Sequence, residues 1–195
     1  MKSNYNENFD GRVYYSGPFW DNKEIDAAVD ALKNGKWLSS GEKVHKFERE
    51  FSKKFKVGHS VMVNSGSSAN LVMIAGLKER YGWNDDDEII VSPVGFPTTI
   101  APIYQNRLKP VFVDIEMNTL NFDLKQVEDK ITPRTVGIFL SPVLGNPPNM
   151  DDLEQIILNH PHVKLIGDNC DSLGSEWNKR YLGQFCVAWS SSFYP

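Results

Sequence analysis

The part of this chain that decides its fold is Asn64-Ser65-Gly66-Ser67-Ser68-Ala69-Asn70. It follows a short β-rich run and opens an apolar segment, so the predicted order is strand, small-residue turn, helix. Such a turn leaves backbone N–H groups free at a helix N-terminus, where the helix dipole favours an anion. Gly66 permits a close approach, and the hydroxyls of Ser67 and Ser68 add donors. The stretch predicts a phosphate-binding turn, and an ordinary N-capped helix is the alternative.

Composition limits the classes of protein to which the chain can belong. Its 195 residues are 41% hydrophobic and 24% charged, as in globular domains. A net charge of -4 argues against a nucleic-acid or acidic-membrane surface. The polar N-terminus is not a signal peptide, and no apolar run approaches the roughly 20 residues that cross a bilayer. Two cysteines, Cys170 and Cys186, make no disulfide framework, so we expect a cytoplasmic protein.

Two helices are predicted before residue 60. Asp21 and Glu24 form a capping-box pattern, apolar residues follow at helical spacing, and Gly35 stops the helix. The second helix, over 40–55, carries an aromatic stripe on one face, which is typical of core or partner-helix packing. We interpret residues 1–59 as an N-terminal helical segment.

From residue 60 onward, short β-rich runs alternate with helical segments, which is typical of a parallel sheet with helices on both faces. The predicted strands are 60–63, 88–92, 110–114, 135–140, 163–167 and 185–191. The predicted helices are 67–81, 97–105, 122–130 and 149–159. In such sheets, ligands bind where the strands end, at the carboxyl edge.

Several side chains that can bind a ligand fall at that edge. Asp168 ends an apolar strand, where it can cap a helix or present a fixed negative charge to a cationic ring. Asp171, three residues later, can reach a neighbouring polar group of the same ligand. Phe96 can lie flat on a planar ring or belong to the core. Hydroxyls in the tail 190–195 follow the last strand and reach the edge that holds Ser67.

No metal site and no nucleophilic triad are predicted. His160 and His162 lack a cysteine or carboxylate partner at ligand spacing, and Gly-x-Ser-x-Gly is absent. The turn at 64–70 also lacks the spaced glycines of a dinucleotide fingerprint and the Gly-Lys-Ser/Thr of a P-loop. An unrelated nucleotide-binding domain therefore has little support.

A family resemblance rests on five segments that appear in order: NSGSSAN (64–70), GFPTT (95–99), LGNP (144–147), GDNCDSLGS (167–175) and SFYP (192–195). Together they resemble the DegT/DnrJ/EryC1/StrS sugar aminotransferase family, and within it the CDP-4-keto-6-deoxyglucose 3-dehydrase branch. The resemblance implies an α/β fold with three layers, namely the mostly parallel sheet and flanking helices of the aspartate aminotransferase (fold type I) large domain.

The resemblance implies pyridoxal 5'-phosphate or pyridoxamine 5'-phosphate as the cofactor and assigns roles to matched positions. Ser67 and Ser68 would hold the phosphate group, and Ser192 would add a hydroxyl. Phe96 would stack on the cofactor ring. Asp168 would pair with the pyridine nitrogen, so that the ring can take up electrons.

Three positions depart from the family pattern. Asp171 falls where aminotransferases usually carry a glutamine beside the ring hydroxyl, and it is assigned to the cofactor with a less defined role. Gly167 replaces a common glutamate, and Pro142 replaces a histidine that is often seen in the branch. Neither of the last two changes removes a named cofactor contact.

The catalytic position of the family comes two residues after the proline that matches Pro195, so no catalytic residue is assigned within this sequence. It is Lys in aminotransferases and His, acting as a base, in the dehydrase branch. The C-terminal small domain and the iron–sulfur cysteines of that branch are also absent. We interpret 60–195 as an incomplete cofactor-binding large domain of an N-terminal fragment, in which strand 60–63 has lost its sheet neighbour.

The resemblance implies an enzyme that removes the C3 hydroxyl of a 4-keto-6-deoxy nucleotide sugar, in deoxysugar or lipopolysaccharide O-antigen biosynthesis, with a reductase as partner. A nucleotide-sugar aminotransferase is one alternative, and Lys or His at the catalytic position decides between them. A non-catalytic remnant that keeps only binding or dimer formation is the other. Family members are homodimers, and the aromatic face of helix 40–55 can take part in that dimer.

Overall fold

The computed structural model describes residues 20–36, 39 and 41–194. These residues belong to two compact units, and the boundary between the units falls between Glu50 and Phe51. The domain division at residue 60 that the sequence predicts stays a prediction. Within the described part of the chain, every helix is too short or too polar to cross a membrane.

The first unit contains helix α1 (Asn22–Asn34) and most of helix α2 (Glu42–Phe55). The predicted capping box begins α1, because Asp21 caps the first turn and Glu24 accepts the Asp21 N–H at 2.7 Å. The helix ends at Gly35, also as predicted. No residue of α1 is buried, so its apolar side chains lie at the surface of this unit.

The second unit is built on a parallel sheet. The strands of this unit are β1 (Glu88–Val91), β2 (Lys109–Phe112), β3 (Thr135–Leu140), β4 (Lys164–Asp168), β5 (Glu176–Trp177), β6 (Arg180–Tyr181) and β7 (Ala188–Ser190). Five of them form the parallel sheet, in the order β2-β1-β3-β4-β7. Strands β5 and β6 form a separate antiparallel hairpin before β7. The predicted parallel sheet is confirmed.

Helices cover both faces of this sheet. They are α3 (Gly66–Tyr81), α4 (Pro97–Gln105), α5 (Leu124–Asp129) and α6 (Met150–Asn159). On one face, Ile74 of α3 and Ile103 of α4 belong to the same core as Ile89 of β1. On the other face, Leu153 of α6 shares a core with Ile90. Neighbouring strand residues point to opposite faces, so β1 contributes to both cores, and the predicted three-layer α/β architecture is confirmed.

The predicted strand at 60–63 is wrong. These residues pair with no strand in the part of the chain that the structure describes. The side chains of Val61 and Met62 are 78% and 44% exposed. A β-rich composition favours a strand only where a neighbouring strand supplies hydrogen bonds and packing. Ser60 is fixed instead by a 2.8 Å hydrogen bond between its hydroxyl and that of Ser52 in α2.

The last predicted strand, 185–191, is shorter than expected, because regular pairing is confined to β7. The ring of Trp189 in β7 contacts the rings of Phe51 and Phe55 of α2, with centroid separations of 5.6 and 5.7 Å. These two members of the predicted aromatic stripe therefore pack inside the second unit. Burying a large side chain of this kind stabilises a fold by about 1.5–3 kcal/mol.

Candidate functional site

Four segments meet at the carboxyl edge of the sheet, namely the end of β4, the end of β7, the turn that opens α3 and the tail that follows β7. Strand β4 ends at Asp168, β7 ends at Ser190, and these two residues are partners in the parallel register. The turn that opens α3 lies against both strand ends. A Cβ added to Gly66 would lie 2.8 Å from Cys170 Sγ and 2.9 Å from Ser192 Cβ. Only glycine fits this approach, which brings the turn and the tail after β7 into contact.

Asp168 is a buried charge at this edge, with 3% of its surface exposed. Its Oδ2 accepts hydrogen bonds from Asn70 Nδ2 at 2.8 Å and from Thr99 Oγ1 at 2.6 Å. Its Oδ1 accepts the backbone N–H of Cys170 at 3.2 Å, and Ser190 Oγ lies 3.5 Å away. All these groups are neutral, and no Lys, Arg or His of the described residues pairs with this carboxylate. Because a buried charge without a counter-charge is costly, the arrangement suits a cationic ligand.

Asn70 connects this carboxylate to two other elements, and it is 1% exposed. Its Nδ2 donates to Asp168 and also to the carbonyl of Thr98 at 3.1 Å. Its Oδ1 accepts a hydrogen bond from Ser190 Oγ at 2.5 Å. These contacts define the amide orientation, since exchanging its oxygen and nitrogen would set an oxygen against two acceptors. One side chain of α3 thus joins α4, β4 and β7.

The turn that opens α3 carries a row of hydroxyl groups. Ser65 caps the helix, because its Oγ accepts the N–H of Ser68 at 3.1 Å. Ser67 Oγ donates to Thr98 Oγ1 at 3.0 Å. In the tail that follows β7, the buried hydroxyl of Ser191 has no hydrogen-bond partner among the described residues. The capped helix of the alternative interpretation is therefore present, and its hydroxyls and first-turn N–H groups form a surface that suits an anion.

Phe96 and Asp171 lie outside this hydrogen-bonded cluster. Phe96 immediately precedes α4, and 67% of its surface is exposed. Its carbonyl accepts the N–H of Thr99 at 3.0 Å, so it is one helical turn from a residue that contacts the buried carboxylate. Asp171 is exposed and follows Asp168 by three residues. The core interpretation of Phe96 is wrong, and the roles of both residues towards a ring stay predictions.

Cys170 lies between the buried carboxylate and the turn. Burial raises the pKa of the Cys170 thiol far above its usual range, and the negative charge of Asp168 raises it further. The thiol is therefore protonated at neutral pH, which argues against a nucleophilic role. Within the described ranges, His, Cys, Asp and Glu side chains form no group of three that could hold a metal ion.

Three residues of this cluster had no role predicted from the sequence, namely Asn70, Thr98 and Thr99. Ser190 was predicted only as one of the hydroxyls of the tail 190–195 at this edge, and not as a partner of Asn70. A signal existed for Asn70, which is the one hydrogen-bonding side chain in the run 69–77 and follows Ser67 by one helical turn. The two threonines lie in the segment GFPTT, but their partners are distant in sequence.

Known proteins resemble the chain in sequence. The GDP-4-keto-6-deoxy-D-mannose 3-dehydratase of Escherichia coli O55:H7 is 39% identical over 178 residues, which are 90% of this chain and 45% of that protein. The dTDP-4-dehydro-2,6-dideoxy-D-glucose 3-dehydratase of Saccharopolyspora spinosa is 39% identical over 184 residues, covering 92% and 39%. The chain therefore spans less than half the length of these two relatives.

A solved structure shows the same similarity in the fold. The structure of the E. coli GDP-4-keto-6-deoxy-D-mannose 3-dehydratase with bound hydrated PLP superposes with a TM-score of 0.81 at 38% identity. The match covers 86% of this chain and 43% of that one. The sequence pattern of the DegT/DnrJ/EryC1/StrS aminotransferase family matches residues 20–195, and the chain belongs to this family.

Proposed function

We propose that this chain binds pyridoxal phosphate or pyridoxamine phosphate at the carboxyl edge of its sheet. The observation that carries the proposal is Asp168, a buried carboxylate held only by neutral donors in the described part of the chain. A protonated pyridine nitrogen supplies the missing positive charge. The phosphate of the same molecule suits the turn 65–68, which is linked to Asp168 through Thr98 and Asn70.

The remaining predicted contacts fit the same ligand. Ser67 and Ser68 would hold the phosphate from the helix N-terminus, and Ser192 would hold it from the opposite side, since Gly66 lies against Ser192. Phe96 has the exposed ring needed for stacking. These assignments, and that of Asp171 to the ring hydroxyl, are part of the proposal.

The cofactor, when bound, supplies a cationic ring that takes up electrons as a bond of the substrate breaks. Asp168 would favour the charged form of the ring by accepting a hydrogen bond from the protonated ring nitrogen. The two donors on its Oδ2 hold the carboxylate in place. The serine turn fixes the other end of the ligand, so that the ring keeps one orientation.

We further propose that the whole protein removes the C3 hydroxyl of a 4-keto-6-deoxy nucleotide sugar. Both relatives compared above are 3-dehydratases of keto-deoxy sugars, one carried by GDP and the other by dTDP. Loss of the C3 hydroxyl gives a deoxysugar, so we place the reaction in deoxysugar or lipopolysaccharide O-antigen biosynthesis. A cytoplasmic location, a homodimer and a reductase partner belong to the same proposal.

A nucleotide-sugar aminotransferase is the second candidate, because the matched family is named for aminotransferases. In that case the whole protein would transfer an amino group to the keto sugar. The two candidates differ in the acid–base residue, Lys or His, and the proposed cofactor contacts are the same for both.

The test uses the protein expressed from its complete gene and loaded with pyridoxamine phosphate. It is incubated with GDP- or dTDP-linked 4-keto-6-deoxy sugars, and the products are followed by mass spectrometry. We expect a 3-deoxy keto sugar lighter by one oxygen atom, because C3–OH becomes C3–H and the two electrons come from conversion of pyridoxamine phosphate to pyridoxal phosphate and ammonia. Exchange of the keto oxygen for an amino group would instead identify an aminotransferase. A protein that binds the cofactor but converts neither substrate would be a non-catalytic remnant. A protein that shows no cofactor absorbance after dialysis would overturn the proposal.

A further inference from the structure

We propose that Asn70 and Ser190 are positioning residues that hold Asp168 in one rotamer, with its Oδ1 presented to the cofactor. The inference rests on the proposed function and names two residues for it, neither of which is assigned to bind the ligand. It starts from an asymmetry in the hydrogen bonds of the buried carboxylate.

The two oxygens of Asp168 are held differently. Oδ2 accepts two short hydrogen bonds, 2.8 Å from Asn70 and 2.6 Å from Thr99. Oδ1 has one backbone donor at 3.2 Å, from Cys170. Because Oδ2 is occupied by two strong donors, Oδ1 keeps the greater capacity to accept a further proton donor. The ligand proton is therefore expected at Oδ1.

Asn70 can hold this arrangement because its own amide is fixed. Its Nδ2 has two acceptors, Asp168 Oδ2 and the carbonyl of Thr98. Its Oδ1 accepts the proton of Ser190 Oγ at 2.5 Å. A serine hydroxyl has one proton, so the hydrogen bond to Asn70 leaves the 3.5 Å approach of Ser190 to Asp168 without one. Ser190 thus acts through Asn70, and Asn70 acts on Asp168.

The position of these residues in the fold makes the arrangement rigid. Asn70 lies one helical turn after Ser67, so the helix that carries the anion-binding turn also holds the carboxylate. Ser190 is the register partner of Asp168 in the neighbouring strand. All three side chains are buried, with 1%, 5% and 3% of the surface exposed for Asn70, Ser190 and Asp168.

The test is a double-mutant cycle in pyridoxal phosphate affinity, measured by titration of cofactor absorbance and tryptophan fluorescence. The variants are Asn70→Ala, Asp168→Asn and the combination of both. We expect Asn70→Ala to weaken binding about tenfold in the wild-type background, because it removes a hydrogen bond to a charged group. In the Asp168→Asn background the same change should have almost no effect. Ser190→Ala should weaken binding about threefold alone and add nothing to Asn70→Ala.

A matched control is Asn121→Ala. Asn121 is 2% exposed, and its Nδ2 donates to two carbonyls, those of Thr119 and Asn146. Its loss creates a similar gap without touching Asp168, so its effect on affinity should be the same in both backgrounds. Equal loss of affinity from Asn70→Ala with and without Asp168→Asn would overturn the inference, because a general loosening of α3 gives additive effects.

A second readout needs no cofactor. The same cycle is measured in the free energy of unfolding by urea at neutral pH. Asn70→Ala should destabilise the wild type more than the Asp168→Asn variant, because only the wild type keeps a buried charge that loses its donor. If the wild type binds no pyridoxal phosphate, the proposed function fails while this cycle still decides the role of Asn70: coupling supports positioning, and additivity overturns it.

Discussion

Two buried carboxylates lie at opposite edges of the same sheet, and their surroundings differ in one respect. Glu88 begins β1 at the amino edge, and Asp168 ends β4 at the carboxyl edge. They are 5% and 3% exposed. Glu88 accepts from Lys109 Nζ and Arg134 Nη2, each at 3.1 Å, and from Thr132 Oγ1 at 2.7 Å. Asp168 has neutral donors alone among the described residues.

The difference is the one expected between a carboxylate that stabilises the fold and one that we propose binds a cationic ligand. The hydrogen bond from Thr132 and the charges of Lys109 and Arg134 hold the pKa of Glu88 below its usual range. The charge of Glu88 is thus balanced by two cations of the same chain, Lys109 at the start of β2 and Arg134 just before β3. Asp168 is as deeply buried and leaves its charge for a partner that the described residues do not supply. Burial alone does not mark a site; burial without a counter-charge does.

Replacing Asp168 should produce the largest effect. Asp168→Asn keeps the shape of the side chain and removes the charge that a protonated ring nitrogen needs. Loss of one member of a buried charge pair costs about 2–5 kcal/mol, so pyridoxal phosphate should bind at least about 30-fold more weakly. Glu88→Gln is the matched control and should leave the affinity within about twofold. Equal affinities for Asp168→Asn and the wild type, measured by equilibrium dialysis, would show that the charge of Asp168 does not contribute to cofactor binding.

Glu88→Gln should instead reduce stability. The change removes the anion and leaves Lys109 and Arg134 without their partner, although both are more than half exposed and can be hydrated. We therefore expect the free energy of unfolding to fall by about 1–3 kcal/mol, below the range for a fully buried pair. Urea denaturation at neutral pH measures it. An unchanged midpoint would show that the charges around Glu88 do not stabilise the fold.

The stabilisation by Glu88 should depend on pH in a defined direction. The pKa of Glu88 is lowered in the folded chain, mainly by the hydrogen bond from Thr132, relative to 4.5 for a free glutamate. The folded state therefore binds this proton less readily, so the contribution is complete above about pH 5 and disappears as pH falls through the folded-state pKa. The stability difference between wild type and Glu88→Gln should shrink over that acidic interval. A difference that stays constant down to pH 3 would contradict this assignment.

The two edges also differ in how far sequence alone predicts them. Asp168, Ser67 and Ser192 could be chosen because strand ends and a small-residue turn are local patterns that a parallel sheet gathers at one edge. The contact of Asn70 with Asp168 spans 98 positions and depends on how α3 crosses the sheet. Glu88 was predicted only as the first residue of strand 88–92, since its cations come from the distant positions 109 and 134.

The same reason explains the strand that failed. Residues 60–63 have β-rich composition, but composition does not determine whether a neighbour is present to pair with them. Strand β1, with a similar apolar run, forms because β2 and β3 pair with it on both sides. Local propensity was therefore reliable for the inner strands, whose partners lie within the described chain, and unreliable at 60–63.

The smallest expected effects come from a matched pair of hydroxyl groups. Thr99 Oγ1 donates to Asp168 at 2.6 Å, and Thr132 Oγ1 donates to Glu88 at 2.7 Å. The two hydrogen bonds are alike, but we propose that Asp168 binds the ligand, whereas Glu88 stabilises the fold. Thr99→Val should weaken pyridoxal phosphate binding about fivefold, because the anion loses a donor. Thr132→Val should leave binding unchanged and lower the free energy of unfolding by about 1 kcal/mol. Thr99→Ser and Thr132→Ser keep the hydroxyl and should behave as the wild type. If Thr132→Val weakened cofactor binding as much as Thr99→Val did, the two carboxylates would not be separate in function, and the absence of a counter-charge at Asp168 would not distinguish them.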